Sequence, residues 1–111
     1  MKSYIGKIQD HGVGGQPVIV NHQMSSSSSL DYPLSHIERH SPDGFNWGYC
    51  GSGPSDLALS ILTDCFGEDS EIVSHYQEFK VEFIAKLPRD CGWIISEESI
   101  REWSKKFEKE K

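Results

Sequence analysis

Apolar positions along the chain follow two periods, and the change falls near residue 50. In the first twenty residues they come in short β-favouring runs: Tyr4, Ile5 and Ile8, then Val18-Ile-Val20. Gly12-Val-Gly-Gly15 lies between the runs and supplies residues that accept positive φ, so the pattern predicts an N-terminal β-hairpin. Pro17 falls at the start of the second strand or on an edge, where its missing N–H does least harm. Ser25 to Ser29 interrupt the pattern. Residues 24–30 read as a flexible serine-rich loop, with no side chain large enough to offset the entropy of ordering. Leu30 to Arg39 fits either a short helix or an extended segment.

Beyond residue 50 the apolar residues recur every three or four positions and predict three helices. In the first, Ser52 or Gly53 is the cap, Pro54 takes the first helical position and Asp56 adds negative charge to the first turn. Leu57, Ala58, Ile61, Leu62 and Cys65 form its apolar face, and Gly67 its stop. The second begins near Asp69 or Ser70, carries Ile72, Tyr76, Phe79, Phe83 and Leu87 as one stripe, and ends at Pro88. The third is capped by Ser96, with Glu97 and Glu98 at the positive end of the dipole and Ile95 packed on Ile100. Ile100, Trp103 and Phe107 face inward. Trp93-Ile-Ile95 is a third strand or a buried link. Two or three strands with three helices make an α+β fold, a small single domain over residues 1–111.

Composition narrows the class. The chain has room for one core, and 5 Phe, 4 Tyr and 3 Trp mean that the core is built from few, large side chains. No apolar run approaches the ~20 residues of a membrane span. The N-terminal Met-Lys-Ser-Tyr-Ile-Gly lacks the apolar stretch of a secretory signal, so the expected compartment is the cytoplasm. A net charge of −6 argues against direct binding to a nucleic-acid backbone. Between His40 and Phe79 there are seven acids and no Lys or Arg. Cys50, Cys65 and Cys91 contain no C-x-x-C pair and predict free, buried thiols rather than disulfides or a zinc site.

One segment stands apart from both periods: Ser41-Pro-Asp-Gly-Phe-Asn-Trp-Gly-Tyr-Cys-Gly-Ser-Gly-Pro54. Four glycines are interleaved with Phe45, Trp47 and Tyr49, an alternation that puts three rings on one side of an extended strand of chain. A glycine-rich loop feeding a helix offers free N–H groups and the positive end of a dipole, which bind phosphate or carboxylate without a basic side chain. Trp47 and Tyr49 would stack on a planar group, while Gly51, Ser52, Gly53 and Ser55 would supply backbone and hydroxyl hydrogen bonds. The competing reading is structural: Gly53-Pro54 makes a tight helix entry and the three rings fill the core beneath it. Neither named nucleotide motif is satisfied. Asp56 stands where a dinucleotide fingerprint needs its third glycine, and no Gly-Lys-Ser/Thr is present.

This segment continues through Ser55-Asp-Leu-Ala-Leu-Ser-Ile-Leu62 and is followed in order by Tyr76-Gln-Glu-Phe-Lys80, Ile84-Ala-Lys-Leu-Pro88 and Trp93. In these motifs, over most of Val18 to Trp103, the chain resembles an uncharacterised domain-of-unknown-function family of phage, plasmid and bacterial proteins. Cys50 departs from the pattern, where glycine or another small residue is expected. The resemblance implies no activity. It implies a mobile-element setting, with the host cytoplasm as the compartment if the protein is phage-encoded.

Three functions compete. The first is a non-catalytic binder that sequesters a small nucleotide-like host signal at the glycine/aromatic loop, with Arg39, Lys80 or a second subunit neutralising the ligand. The second is a protein–protein inhibitor or adaptor acting on a host protein through an aromatic surface. The third is an enzyme, a hydrolase using Cys50 or a His/Asp pair, and it ranks last: Gly53-Pro54 breaks the nucleophile pattern that Cys50-Gly-Ser resembles. His36 and His40, four apart, would share a helix face and bind a metal with Cys50 only if that region were helical. Asp64 and His75 have no evident partner. No catalytic residue, metal or cofactor is assigned, and a homodimer is the assembly that exposed aromatics would favour.

Overall fold

The computed structural model describes residues 1–8 and 15–107, and the expected turn at Gly12–Gly15 lies outside them except for Gly15. Four strands form one antiparallel sheet: β1 (Lys2–Gly6), β2 (Val18–Ser25), β3 (Ser28–Pro33) and β4 (Trp93–Ser96), in the order β3-β2-β1-β4. β1 and β2 are the expected hairpin, paired Lys2↔His22 through Gly6↔Val18. Pro17 sits just before β2, and its carbonyl accepts the Lys7 N–H. Trp93-Ile-Ile95 is a strand, paired on the other side of β1. The α+β class holds.

The serine run needs a correction. Ser25 closes β2, Ser28 and Ser29 open β3, and Ser26 and Ser27 alone make the turn between them. Backbone pairing, continued from Val20↔Tyr32 and Asn21↔Asp31, organises a stretch whose own side chains bury nothing. Leu30 is therefore extended, and the chain leaves β3 at Pro33 without forming a helix before residue 40.

The helix α1 (Ser52–Phe66) is the centre of the core, with Gly53 through Leu62 buried without a break. Its N-cap is Gly51 rather than Ser52 or Gly53, and Gly67 ends it at φ +90°, bonding back to the Thr63 carbonyl. The second helical segment starts from a Ser70 cap as expected but is not regular. It winds as a 3-10 turn (Glu71–His75), an α turn, α2 (Tyr76–Phe79), and a π turn (Lys80–Ile84) closed by Ala85 N–H on the Lys80 carbonyl at 2.8 Å. The wide turn brings Ile84, five residues after Phe79, onto the same buried face. Phe79 and Phe83 stack at 4.7 Å. The last helix, α3 (Glu97–Ser104), has the predicted Ser96 cap accepting from Ser99 N–H, with Ile100 and Trp103 buried.

Candidate functional site

Three polar residues of α1 stand four apart on one face: Asp56, Ser60 and Asp64. Asp56 and Ser60 are buried, and each member of the row pins another part of the chain. Asp56 accepts from the backbone N–H groups of Arg39 (3.2 Å), His40 (2.9 Å) and Ser41 (3.0 Å), and from His36 Nε2 (2.9 Å). Ser60 Oγ accepts from Ile37 N–H at 3.0 Å. Asp64 accepts from Tyr4 Oη (2.6 Å), Tyr32 Oη (2.7 Å) and Lys2 Nζ (3.1 Å). Burial pushes both carboxyls towards higher pKa, but these hydrogen bonds outweigh it and hold Asp56 and Asp64 below the ordinary carboxylate value. Asp56 thus serves the loop before the helix rather than the helix dipole. Asp64, which has no evident partner in the sequence, has three.

With residues 36–41 fixed along α1, the glycine-rich segment is delivered to the start of that helix. Phe45 takes part twice: its carbonyl accepts Gln16 N–H, and its ring meets His36 edge-on at 4.9 Å. Gly48, at φ +85°, donates its N–H to the Ile84 carbonyl, and a Cβ there would lie 2.9 Å from the Leu87 carbonyl oxygen. Glycine is required there on both counts.

Two adjoining clefts result. The first, about 220 Å³, is polar and lies before α1; its walls include Ser41, Asp43, Asn46, Tyr49, Ser52 and Gly53. The second, about 310 Å³, is more apolar and includes Pro17, Val18, Leu34 and His36. Gly15, Gly44 and Phe45 are walls of both. A groove of about 590 Å³ between the π turn and α3 is larger, but its Glu82 is occupied by Trp103 Nε1 and Lys106.

The expected site residues separate into two groups. Tyr49, Ser52 and Gly53 line the polar cleft. Trp47 does not: it is fully buried, packed edge-on to Trp93 at 5.3 Å, and has no face for stacking. Ser55 is buried, and its hydroxyl is spent on the Gly51 carbonyl at 2.9 Å, so neither of that pair is a cleft wall. Phe45 and Trp47 belong to the core, as the structural reading of the segment had it, and they form no aromatic surface for a partner.

Other residues also differ from expectation. The Arg39 guanidinium lies over the Tyr76 ring at 5.8 Å, while the cation brought to the Tyr49 ring is Arg89, at 5.1 Å. Arg89 lies forty residues away in sequence, beyond any local motif. His36 and His40 are not on a helix; His36 bonds Asp56 and His40 bonds the Tyr76 hydroxyl, so they do not meet Cys50 as metal ligands. Among the described residues no three metal-ligating side chains are grouped to hold an ion. His75 pairs with Glu78. The three thiols are free, but Cys50 and Cys91 are exposed and Cys65 half-buried, because the first two fall in loops. No helix among the described residues is long and apolar enough to cross a membrane.

The architecture is that of a small α+β domain whose central helix is buried behind a four-stranded antiparallel sheet and fed by a glycine-rich loop. The chain belongs to the family described as "Family of unknown function (DUF6166)", which matches residues 9–106. No curated protein and no solved structure matches it.

Proposed function

We propose that the protein is a non-catalytic binder of a small nucleotide-like ligand, held in the polar cleft before α1. The observation that carries this reading is the bare start of the helix: its N-cap is Gly51, no side chain caps it, and Ser52 and Gly53 line the cleft directly. The first-turn N–H groups and the helix dipole favour an anionic group there, and the Ser52 hydroxyl adds a donor. Arg89, beside Tyr49, supplies a positive charge to this face of the molecule. Asp43, another wall of this cleft, would accept hydrogen bonds from the hydroxyl groups of a sugar. Tyr49 takes the stacking role alone. In a mobile-element setting, such a binder would sequester a host nucleotide signal in the cytoplasm.

Isothermal titration of the full chain against a panel of nucleoside phosphates tests the reading. Saturable binding is expected with at least one member, and Ser52→Glu, which puts a carboxylate at the helix start, should abolish it without lowering the melting temperature. Absence of heat across the panel at high protein concentration overturns it.

A second reading, an inhibitor or adaptor that binds a host protein, draws support from a different surface. Pro33, Ile19, Ile5 and Ile94 are paired in one row across the open face of the sheet, with Ile94 70% exposed. Ile94→Asp should weaken that interaction, or a homodimer formed there, and leave nucleotide binding intact.

A further inference from the structure

His36 is held by a group it does not share with the cleft. Its Nε2 lies 2.9 Å from Asp56 Oδ2, a fully buried carboxylate that also receives three backbone N–H groups. A carboxylate only accepts, so the imidazole nitrogen facing it carries the hydrogen, and Nδ1 is the nitrogen left for another partner, an acceptor in the neutral form of the ring. None of the described residues bonds that nitrogen. The ring is also fixed edge-on against Phe45 at 4.9 Å, so its direction is set by packing as well as by the hydrogen bond. It forms part of the wall of the 310 Å³ cleft, with Pro17, Leu34 and Phe45 as apolar neighbours.

We infer that this cleft receives a planar nitrogen heterocycle whose edge donates an N–H to His36 Nδ1. The volume stands at the small end of ligand sites, the range of one or two fused rings. Pro17, Val18, Leu34 and Phe45 favour a flat body, while Gln16 and the backbone of Gly15 and Gly44 give the same cleft polar wall. The acceptor on His36 selects a ring with an amino or ring N–H group, because a ring offering only acceptors would leave two lone pairs opposed. Since Gly15, Gly44 and Phe45 also line the polar cleft, the heterocycle and the anionic end belong to one bipartite ligand. The inference therefore deepens the proposed nucleotide binding and rests on it for the second half of the ligand.

The test titrates the full chain separately with adenosine, guanosine, adenosine 5′-monophosphate, guanosine 5′-monophosphate and ribose 5-phosphate. A nucleoside is expected to bind without its phosphate. His36→Lys keeps an N–H donor for Asp56 and carries no acceptor, and should weaken that binding about tenfold, the value of one hydrogen bond. Its melting temperature reports whether the Asp56 contact survives. In the unaltered protein, the Nδ1 nitrogen resonance of His36 should move on nucleoside addition, which keeps the test independent of how the variant folds. Binding of ribose 5-phosphate with no nucleoside binding overturns the heterocycle site while leaving the polar cleft in place. Silence from every probe overturns both. A nucleoside that binds His36→Lys as tightly as the original protein, or leaves the His36 resonance unmoved, also overturns the inference.

Discussion

The phenol of Tyr4, on the central strand β1, donates to Asp64 Oδ1 at 2.6 Å and so ties the sheet to the last turns of α1. Tyr4 is fully buried, and its hydroxyl has no solvent alternative to the carboxylate. Burial and the neighbouring Asp64 charge both push the phenol far above its usual pKa, so it stays a donor throughout the accessible pH range. Tyr4→Phe keeps the ring and removes the donor from a charged acceptor. The expected loss is about 1.5–3 kcal/mol, read from urea denaturation. Tyr32→Phe, at a half-buried position on the same carboxylate, should cost less.

The pH dependence follows from the same carboxylates. Asp56, Asp64 and Glu97 are each pushed up by burial and pulled further down by hydrogen bonds, from His36 and three N–H groups, from Tyr4, Tyr32 and Lys2, and from Arg101 and the Lys2 N–H. A carboxyl whose folded pKa is depressed adds stability above its unfolded value and loses it as pH falls through the folded value. Stability should therefore be level near neutrality and fall below about pH 4, the unfolded carboxylate range. Asp64→Asn should make that fall shallower in denaturation curves taken across this range. An unchanged slope would show that Asp64 is not among the groups responsible.

Gly6 is the cross-strand partner of Trp93, whose indole covers it so closely that a Cβ would overlap the ring. Trp93 cannot swing aside, because its other contacts include Trp47, packed edge-on in the core. Gly6→Ala should therefore destabilise the protein by about 1–3 kcal/mol, the usual cost of overpacking, although alanine is otherwise the milder residue in a strand. Trp93→Leu should recover part of that loss in the double variant. Thermal melts of the three proteins check both statements.

The elements themselves were legible because their signals are local. Ser96 with Glu97 and Glu98 identifies the start of α3, Gly67 the end of α1, and Val18-Ile-Val20 a strand. The π turn was not legible, since the Ile72 to Leu87 stripe fits a regular helix equally well. The turn is closed by Ala85 N–H on the Lys80 carbonyl, and Gly48 of a distant segment donates to the Ile84 carbonyl at its end, neither of which a local stripe records. The cleft was half legible for a similar reason. The glycines and Ser52 are contiguous with the helix they serve, whereas His36, a wall of the second cleft, and Arg89, over the Tyr49 ring, arrive through tertiary folding. One overlooked signal was available: Asp56, Ser60 and Asp64 recur every four residues inside an otherwise apolar helix. Such a row must find partners once buried, and it accounts for the course of residues 36–41.

Trp47→Ala is predicted to be a stability variant rather than a binding variant. The side chain is the largest among those fully buried, and its removal leaves a cavity bordered by Trp93. A loss of about 3–5 kcal/mol is expected. Since the cleft residues Tyr49 and Ser52 lie only a few positions away, binding would then fall because the loop is loosened. Tyr49→Ala separates the effects: half-buried and at the cleft wall, it should reduce binding with a smaller change in melting temperature. Calorimetry and thermal melts on both variants decide the point.

The thiols give a prediction that depends on none of the functional readings. Cys50 and Cys91 are exposed in loops, whereas Cys65 is half-buried on α1, where burial, only partly offset by Arg101, pushes its pKa up to about 11. The thiolate is the reactive form, so at neutral pH Cys65 is disfavoured both by access and by protonation. A chromogenic thiol reagent should therefore titrate Cys50 and Cys91 rapidly in the native protein, and Cys65 only slowly or after denaturant is added. Cys50→Ser should remove one rapid equivalent without changing the melting temperature. A fast third equivalent under native conditions would mean that the end of α1 opens far more readily than its packing against Tyr4 implies.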